Sequence, residues 1–294
     1  MPTHTLHLKA PSYTVQPGIA DYKCFGPWPL PIASGALTHF LPVVDMSAVH
    51  HMIVYGGTSN RSACHGIHII YAWARTGQTE PIGLDLAEHR LGFRIDRQQF
   101  SHVSMQIHYQ REKGLPLLHN DQSGVRLTMS ESPPATPLRV QLNQLIPHVP
   151  ARSVVDQCVR CQVIRGGTVY GYRNHAHQLG RDIWSDHFKK GRTTQPEEPL
   201  GLMDSQKPQI VRMLETPRPL EAGDLIQLHC VYDGSGRPTP TGFGTDAATG
   251  EMCNQYLFAS ASLYIGCAGR ACVPSSHKVN ISSGGPVIRT QGEL

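Results

Sequence analysis

The stretch YGYRNHAHQLGR places His175 and His177 two residues apart. On a β-strand that spacing puts both imidazoles on one face, within reach of a single metal ion. Arg173 has the same parity and shares the face. Farther along, TGEMCNQYLF gives Met252, Asn254 and Tyr256 a common parity, so one strand face presents a thioether, an amide and a phenol. A methionine on a strand ordinarily fills core. Beside two imidazoles, however, its soft sulfur completes a donor set suited to reduced copper. Arg173, Asn254 and Tyr256 add hydrogen-bond donors, and a guanidinium fits a carboxylate through paired charge-assisted bonds. If the two faces meet, one half of the site holds a metal and the other half an anion.

A second grouping lies upstream. VHHMIVYGG contains His50 and His51, and MQIHYQ contains His108 with Gln106 on the same parity. Three imidazoles would make a three-nitrogen metal site, and a zinc ion could also accept them. Neighbouring residues on a regular strand face opposite ways. Both His50 and His51 can reach one ion only if the strand is interrupted, so a bulge or a strand end is expected there. The ordinary role of any single histidine is surface titration or core filling. With 17 in 294 residues, only the groupings argue for metal.

The elements that must carry these residues read as strands. Charged residues make up 16%, and the chain has 28 glycines and 23 prolines, a composition typical of turn-rich β proteins. Short β-branched and aromatic runs such as GIHIIYAWA, HVSMQIHYQ, GTVYGYRNHAH, DLIQLHCVY and QYLFASASLYIG recur between turn signals, and no helical period stands out. The expected fold is all-β: two antiparallel β-sandwich, jelly-roll-like domains. The proline-rich SESPPATP divides them, giving 1–134 with the three histidines and 135–294 with the His-His-Met and carboxylate groups. A net charge of +4 without any basic run argues against nucleic acid. No apolar stretch is long enough for a transmembrane segment, and the N-terminus lacks the apolar core of a signal peptide. The eight cysteines imply disulfides and an oxidising setting, hence a secreted or secretory-pathway lumenal protein. The triplets at Asn60 and Asn280 are glycosylation acceptors consistent with that.

Taken in order, VHHMIVYGG, IIYAWAR, LGFR, QIHYQ, YRNHAHQLGR, GDLIQLHCVY and GEMCNQYL resemble the peptidylglycine α-hydroxylating monooxygenases, relatives of dopamine β-monooxygenase, from about Tyr22 to Cys272. The resemblance implies two copper ions, with ascorbate as electron donor and O2 as co-substrate. His50, His51 and His108 would hold the electron-transfer copper. His175, His177 and Met252 would hold the oxygen-activating copper, with Tyr256 also at the catalytic centre. Arg173, Asn254, Tyr256 and, on the substrate side, Tyr22 would bind a glycine-extended peptide through its carboxylate. Gln106 matches a glutamine beside the third histidine. A separate lyase would complete amidation. The runner-up readings are an amine hydroxylase of the dopamine β-monooxygenase type and a secreted copper-binding module without turnover.

Some residues depart from the family pattern. Gly56-Gly57 stands where a cysteine usually follows the His-His strand. Cys24 and Cys64 are left to pair in the first domain, and Cys230 and Cys253 resemble the family's pair beside the methionine ligand. Cys158, Cys161, Cys267 and Cys272 allow one family link plus a second one particular to this chain. Alternatively, the C-x-x-C could be redox-active or half of a zinc site.

Overall fold

The computed structural model describes residues 2–58, 64, 68–75, 77–192, 194–275, 277 and 287–291. Asn60 and Asn280 lie outside them. The described residues are all-β, as expected, with a single 3₁₀ turn at Ala87–His89. No helix is long and apolar enough to cross a membrane. The chain divides into two compact units, Met1–Val140 and Gln141–Leu294. The strand Thr136–Leu145 begins at the end of the SESPPATP segment, residues 130–137, and runs through the division.

In the first unit, one antiparallel sheet orders the strands Thr3–Lys9, Gly124–Ser130, Ser34–Val43 and Leu91–Asp96. A second sheet orders Ala20–Pro29, His102–Gln110, Val49–Gly57 and His68–Ala74, all antiparallel. Along His102–Gln110 the odd residues Val103, Met105, Ile107 and Tyr109 are all buried at 1% exposure or less. This period of two commits one face of the strand to core and leaves Gln106 and His108 on the other. Gly56 matters here. A Cβ at that position would come within 2.6 Å of the Phe100 ring, so the ring occupies the space a cysteine side chain would need.

In the second unit, Arg212–Leu220, Gly167–His175 and Cys253–Ser260 form one antiparallel sheet. The other sheet runs Leu200–Asp204, Gly180–Phe188, Leu225–Asp233, Val154–Arg165 and Tyr264–Arg270, with Val287–Gln291 added in parallel to Val154–Arg165. A single core cluster draws Val169 and Leu257 from the first of these sheets and Val159, Ile183 and Leu228 from the second, which is the packing of a sandwich. All eight cysteines are bonded: Cys24–Cys64, Cys158–Cys272, Cys161–Cys267 and Cys230–Cys253. The C-x-x-C is therefore split between two bridges, which removes the zinc and dithiol readings. Cys158 and Cys161 are three apart on one strand and face opposite sides, and Cys161 sits directly across from Cys267.

Candidate metal centres

The three histidines of the first unit come together through an irregularity in the strand. Val49 pairs with Tyr109 and His51 with His108, so His50 is an extra residue opposite none. This is the expected bulge. It turns His50 to the side already faced by His51 and His108, while Val49 and Met52 stay fully buried. The Nδ1 atoms converge: His50 to His51 is 3.2 Å and His108 to His51 is 3.3 Å. One ligand atom from each ring lies within 4.8 Å of the others. A neutral imidazole has one lone pair to offer, so His51 Nδ1 cannot accept well from both neighbours. A shared cation would resolve the crowding. Ligands about 2.0–2.1 Å from a metal in tetrahedral array stand about 3.3 Å apart, which is the separation seen. Tyr22 stacks on the His108 ring at 4.1 Å and 7°, so it lies beside the three-histidine group. Gln106 donates to Cys24 Sγ at 3.7 Å.

The second grouping is carried by two neighbouring strands. Arg173 pairs with Tyr256 and His175 with Asn254. Both strands stop short of the remaining members: Gly167–His175 ends at His175, and Cys253–Ser260 begins one residue after Met252. The same register carried two residues on sets His177 level with Met252. The rings of His175 and His177 are 5.1 Å apart at 77°, so the H-x-H pair shares a side although only its first member is in the strand. Asn254 Nδ2 lies 3.8 Å from Met252 Sδ. The Arg173 guanidinium stands 5.4 Å over the Tyr256 ring, and its Nε donates to the Gln209 carbonyl at 2.9 Å. Burial holds the Tyr256 phenol above its ordinary value, although Arg173 and the hydrogen bonds from Asn254 and Arg173 oppose this. Tyr256 is therefore a neutral donor at pH 7.

Residues outside the sequence expectation hold these side chains in place. His177 Nδ1 donates to the Gly250 carbonyl at 2.9 Å, and its Nε2 is buried with no hydrogen-bond partner among the described residues. That arrangement fits a metal ligand: one nitrogen anchored by a carbonyl, the other presented for coordination. Gly250 is required because a Cβ there would meet the Gly244 backbone at 2.4 Å. Glu251, fully buried, accepts from the backbone N–H groups of His177 (2.9 Å), Leu179 (2.6 Å) and Met252 (3.2 Å). Tyr232 Oη donates to the Met252 carbonyl at 2.9 Å. Gln209 faces His175 Nδ1 at 2.6 Å. Glu251 adjoins Met252 in sequence, so a buried acid could have been sought there. Gln209 lies 34 residues from His175 in a segment with no periodic signal.

Residues 143–277 match the family described as copper type II ascorbate-dependent monooxygenase, C-terminal domain. The chain is 28% identical over 292 residues to peptidyl-glycine alpha-amidating monooxygenase B of Xenopus laevis, covering 90% of this chain and 31% of that protein. It is 29% identical over 276 residues to the Mus musculus peptidyl-glycine alpha-amidating monooxygenase, covering 86% and 26%. The chain thus spans under a third of the length of these curated relatives. The matched residues include both strands of the His-His-Met group. By these matches residues 143–277 resemble the copper type II ascorbate-dependent monooxygenase C-terminal domain, and most of the chain is similar to peptidyl-glycine alpha-amidating monooxygenases.

Proposed function

We propose that the chain is a copper- and ascorbate-dependent monooxygenase that hydroxylates the α-carbon of the C-terminal glycine of peptides, the first step of C-terminal amidation. The observation that carries this reading is the pairing of Arg173 with Tyr256 and His175 with Asn254 on adjacent strands. That register supports the reading because Arg173, the proposed carboxylate anchor, stands two residues along one strand from His175, a proposed metal ligand. His50, His51 and His108 would hold one copper, and His175, His177 and Met252 a second. Bound copper would supply one-electron transfer and dioxygen chemistry, with ascorbate as the electron source.

The chain's own residues do the positioning. Arg173, 3% exposed, is oriented by its Nε bond and would take the peptide carboxylate, with Asn254 and Tyr256 as further donors. Fixing the carboxylate fixes the neighbouring glycine α-carbon, which converts a collision into a held geometry. A thioether ligand favours the reduced ion, as imidazole alone does not. Tyr22, stacked on His108, would order the imidazole site rather than grip the carboxylate. An amine hydroxylase would have no use for a buried arginine at this place, and a copper carrier without turnover would have no use for the donor set. The product, an α-hydroxyglycine peptide, would pass to a separate lyase. Four disulfides suit a secreted or lumenal setting.

The test is copper-loaded protein given ascorbate, oxygen and a glycine-extended peptide. Hydroxyglycine product with matching oxygen uptake is expected. Turnover of phenethylamines in preference to peptides would support the amine reading, and copper binding without oxygen uptake the carrier reading.

A further inference from the structure

Gln209 lies between the strands Leu200–Asp204 and Arg212–Leu220 and is completely buried. Its Nε2 donates to two carbonyls, Ala176 at 2.9 Å and Ser205 at 2.8 Å. Those two acceptors fix which end of the amide is nitrogen, so the atom 2.6 Å from His175 Nδ1 is the oxygen, Oε1. An oxygen there requires Nδ1 of His175 to carry the proton, which leaves Nε2 as its metal-facing nitrogen. The main-chain carbonyl of the same residue accepts Arg173 Nε at 2.9 Å. One residue therefore grips a proposed metal ligand with its side chain and the proposed carboxylate anchor with its backbone.

We infer that Gln209 is a positioning residue that couples His175 to Arg173, so that copper(I) at the second-unit site and a glycine-extended peptide tighten each other's binding. The inference rests on the reading of Arg173 as the carboxylate anchor. The physical route is short. A metal draws His175 to a fixed orientation, and its Nδ1–H then fixes the Gln209 amide. The two carbonyl contacts stop the amide from relaxing, and the backbone oxygen of Gln209 holds the guanidinium plane. Because binding free energies are linked, the effect must run equally in both directions.

The experiment is calorimetric titration of a glycine-extended peptide into the whole chain, metal-free and saturated with copper(I), for the wild type and for Gln209→Met. Methionine keeps the length and the main-chain carbonyl but removes the acceptor facing His175. In the wild type, copper(I) should tighten peptide binding by about fivefold or more, the usual scale of such coupling. In Gln209→Met the metal-dependent gain should largely vanish while metal-free peptide affinity is kept. Arg173→Lys provides a second route if Gln209→Met does not fold. It keeps the positive charge but loses the Nε link, so its weaker peptide binding should be insensitive to copper(I). A full metal-dependent gain in either variant would overturn the inference, showing that the ion acts through its charge alone. A wild type that binds peptide equally with and without copper(I) would also overturn it, while leaving the anchor reading in place. If the wild type binds the glycine-extended peptide no better than its carboxamide counterpart, the anchor reading itself fails and takes the inference with it.

Discussion

The three-histidine group and the His-His-Met group solve one problem by different means. In the first unit the backbone does the work: one extra residue at His50 brings two neighbouring rings to the side of His108. In the second unit the strand pairing keeps one register from Gly171 to His175, and the candidate ligands sit at or just beyond the strand ends. Placing them there takes buried side chains from elsewhere, namely Gln209, Glu251 and Tyr232. A site made by a bulge depends on its own strand, whereas a site braced by remote groups can be tuned through them. That difference would suit the proposed roles, an electron relay in one unit and a substrate-responsive centre in the other.

The largest expected effect separates the two sites. Met252→Ile should bring peptide hydroxylation to background while one copper per chain stays bound at the first unit, measured by product assay and metal content. Arg173→Ala should leave both coppers in place and raise KM for glycine-extended peptides by about 10- to 100-fold, since a charged hydrogen-bonding group contributes roughly 1.5–3 kcal/mol. An unchanged KM would remove Arg173 from the substrate site. Glu251→Ala strips the acceptor from three backbone N–H groups. Each buried donor left unsatisfied costs about 1–3 kcal/mol, so urea unfolding of the second unit should shift by about 3 kcal/mol or more. Copper should be lost from that unit before the first.

The smallest effect concerns His229, which belongs to neither group. Burial pulls its imidazole down, but hydrogen bonds to Asp156 and Asp186 outweigh this and its pKa is raised. The folded chain therefore holds this proton more tightly than the unfolded one. The stabilisation is complete below about pH 6.5, the unfolded value, and is lost as pH rises through the folded value. His229→Gln should flatten the fall in unfolding midpoint over that window, and parallel profiles for the two proteins would show that the histidine contributes nothing.

Parity made much of this legible in the sequence. The i, i+2 spacing of His175 and His177, and of Met252, Asn254 and Tyr256, describes strand faces directly. The His50–His51 pair was informative because it broke that rule and required a bulge. The strand ends at His175 and Met252 were not legible, because pairing registers depend on partners distant in sequence. Gln209 was hidden for the same reason: an uncharged residue in a loop carries no periodic or compositional mark. The pairing of Cys158 with Cys272 and Cys161 with Cys267 follows from which side of one strand each faces, and sequence spacing left that choice open.

The most direct test of two unlike copper sites is copper K-edge X-ray absorption on the copper(I)-loaded chain. The account predicts two coppers per chain with a copper–sulfur contribution that persists in His108→Ala, although one copper is lost, and disappears in Met252→Ile. A wild-type spectrum with no sulfur contribution, or one that survives Met252→Ile, would contradict it.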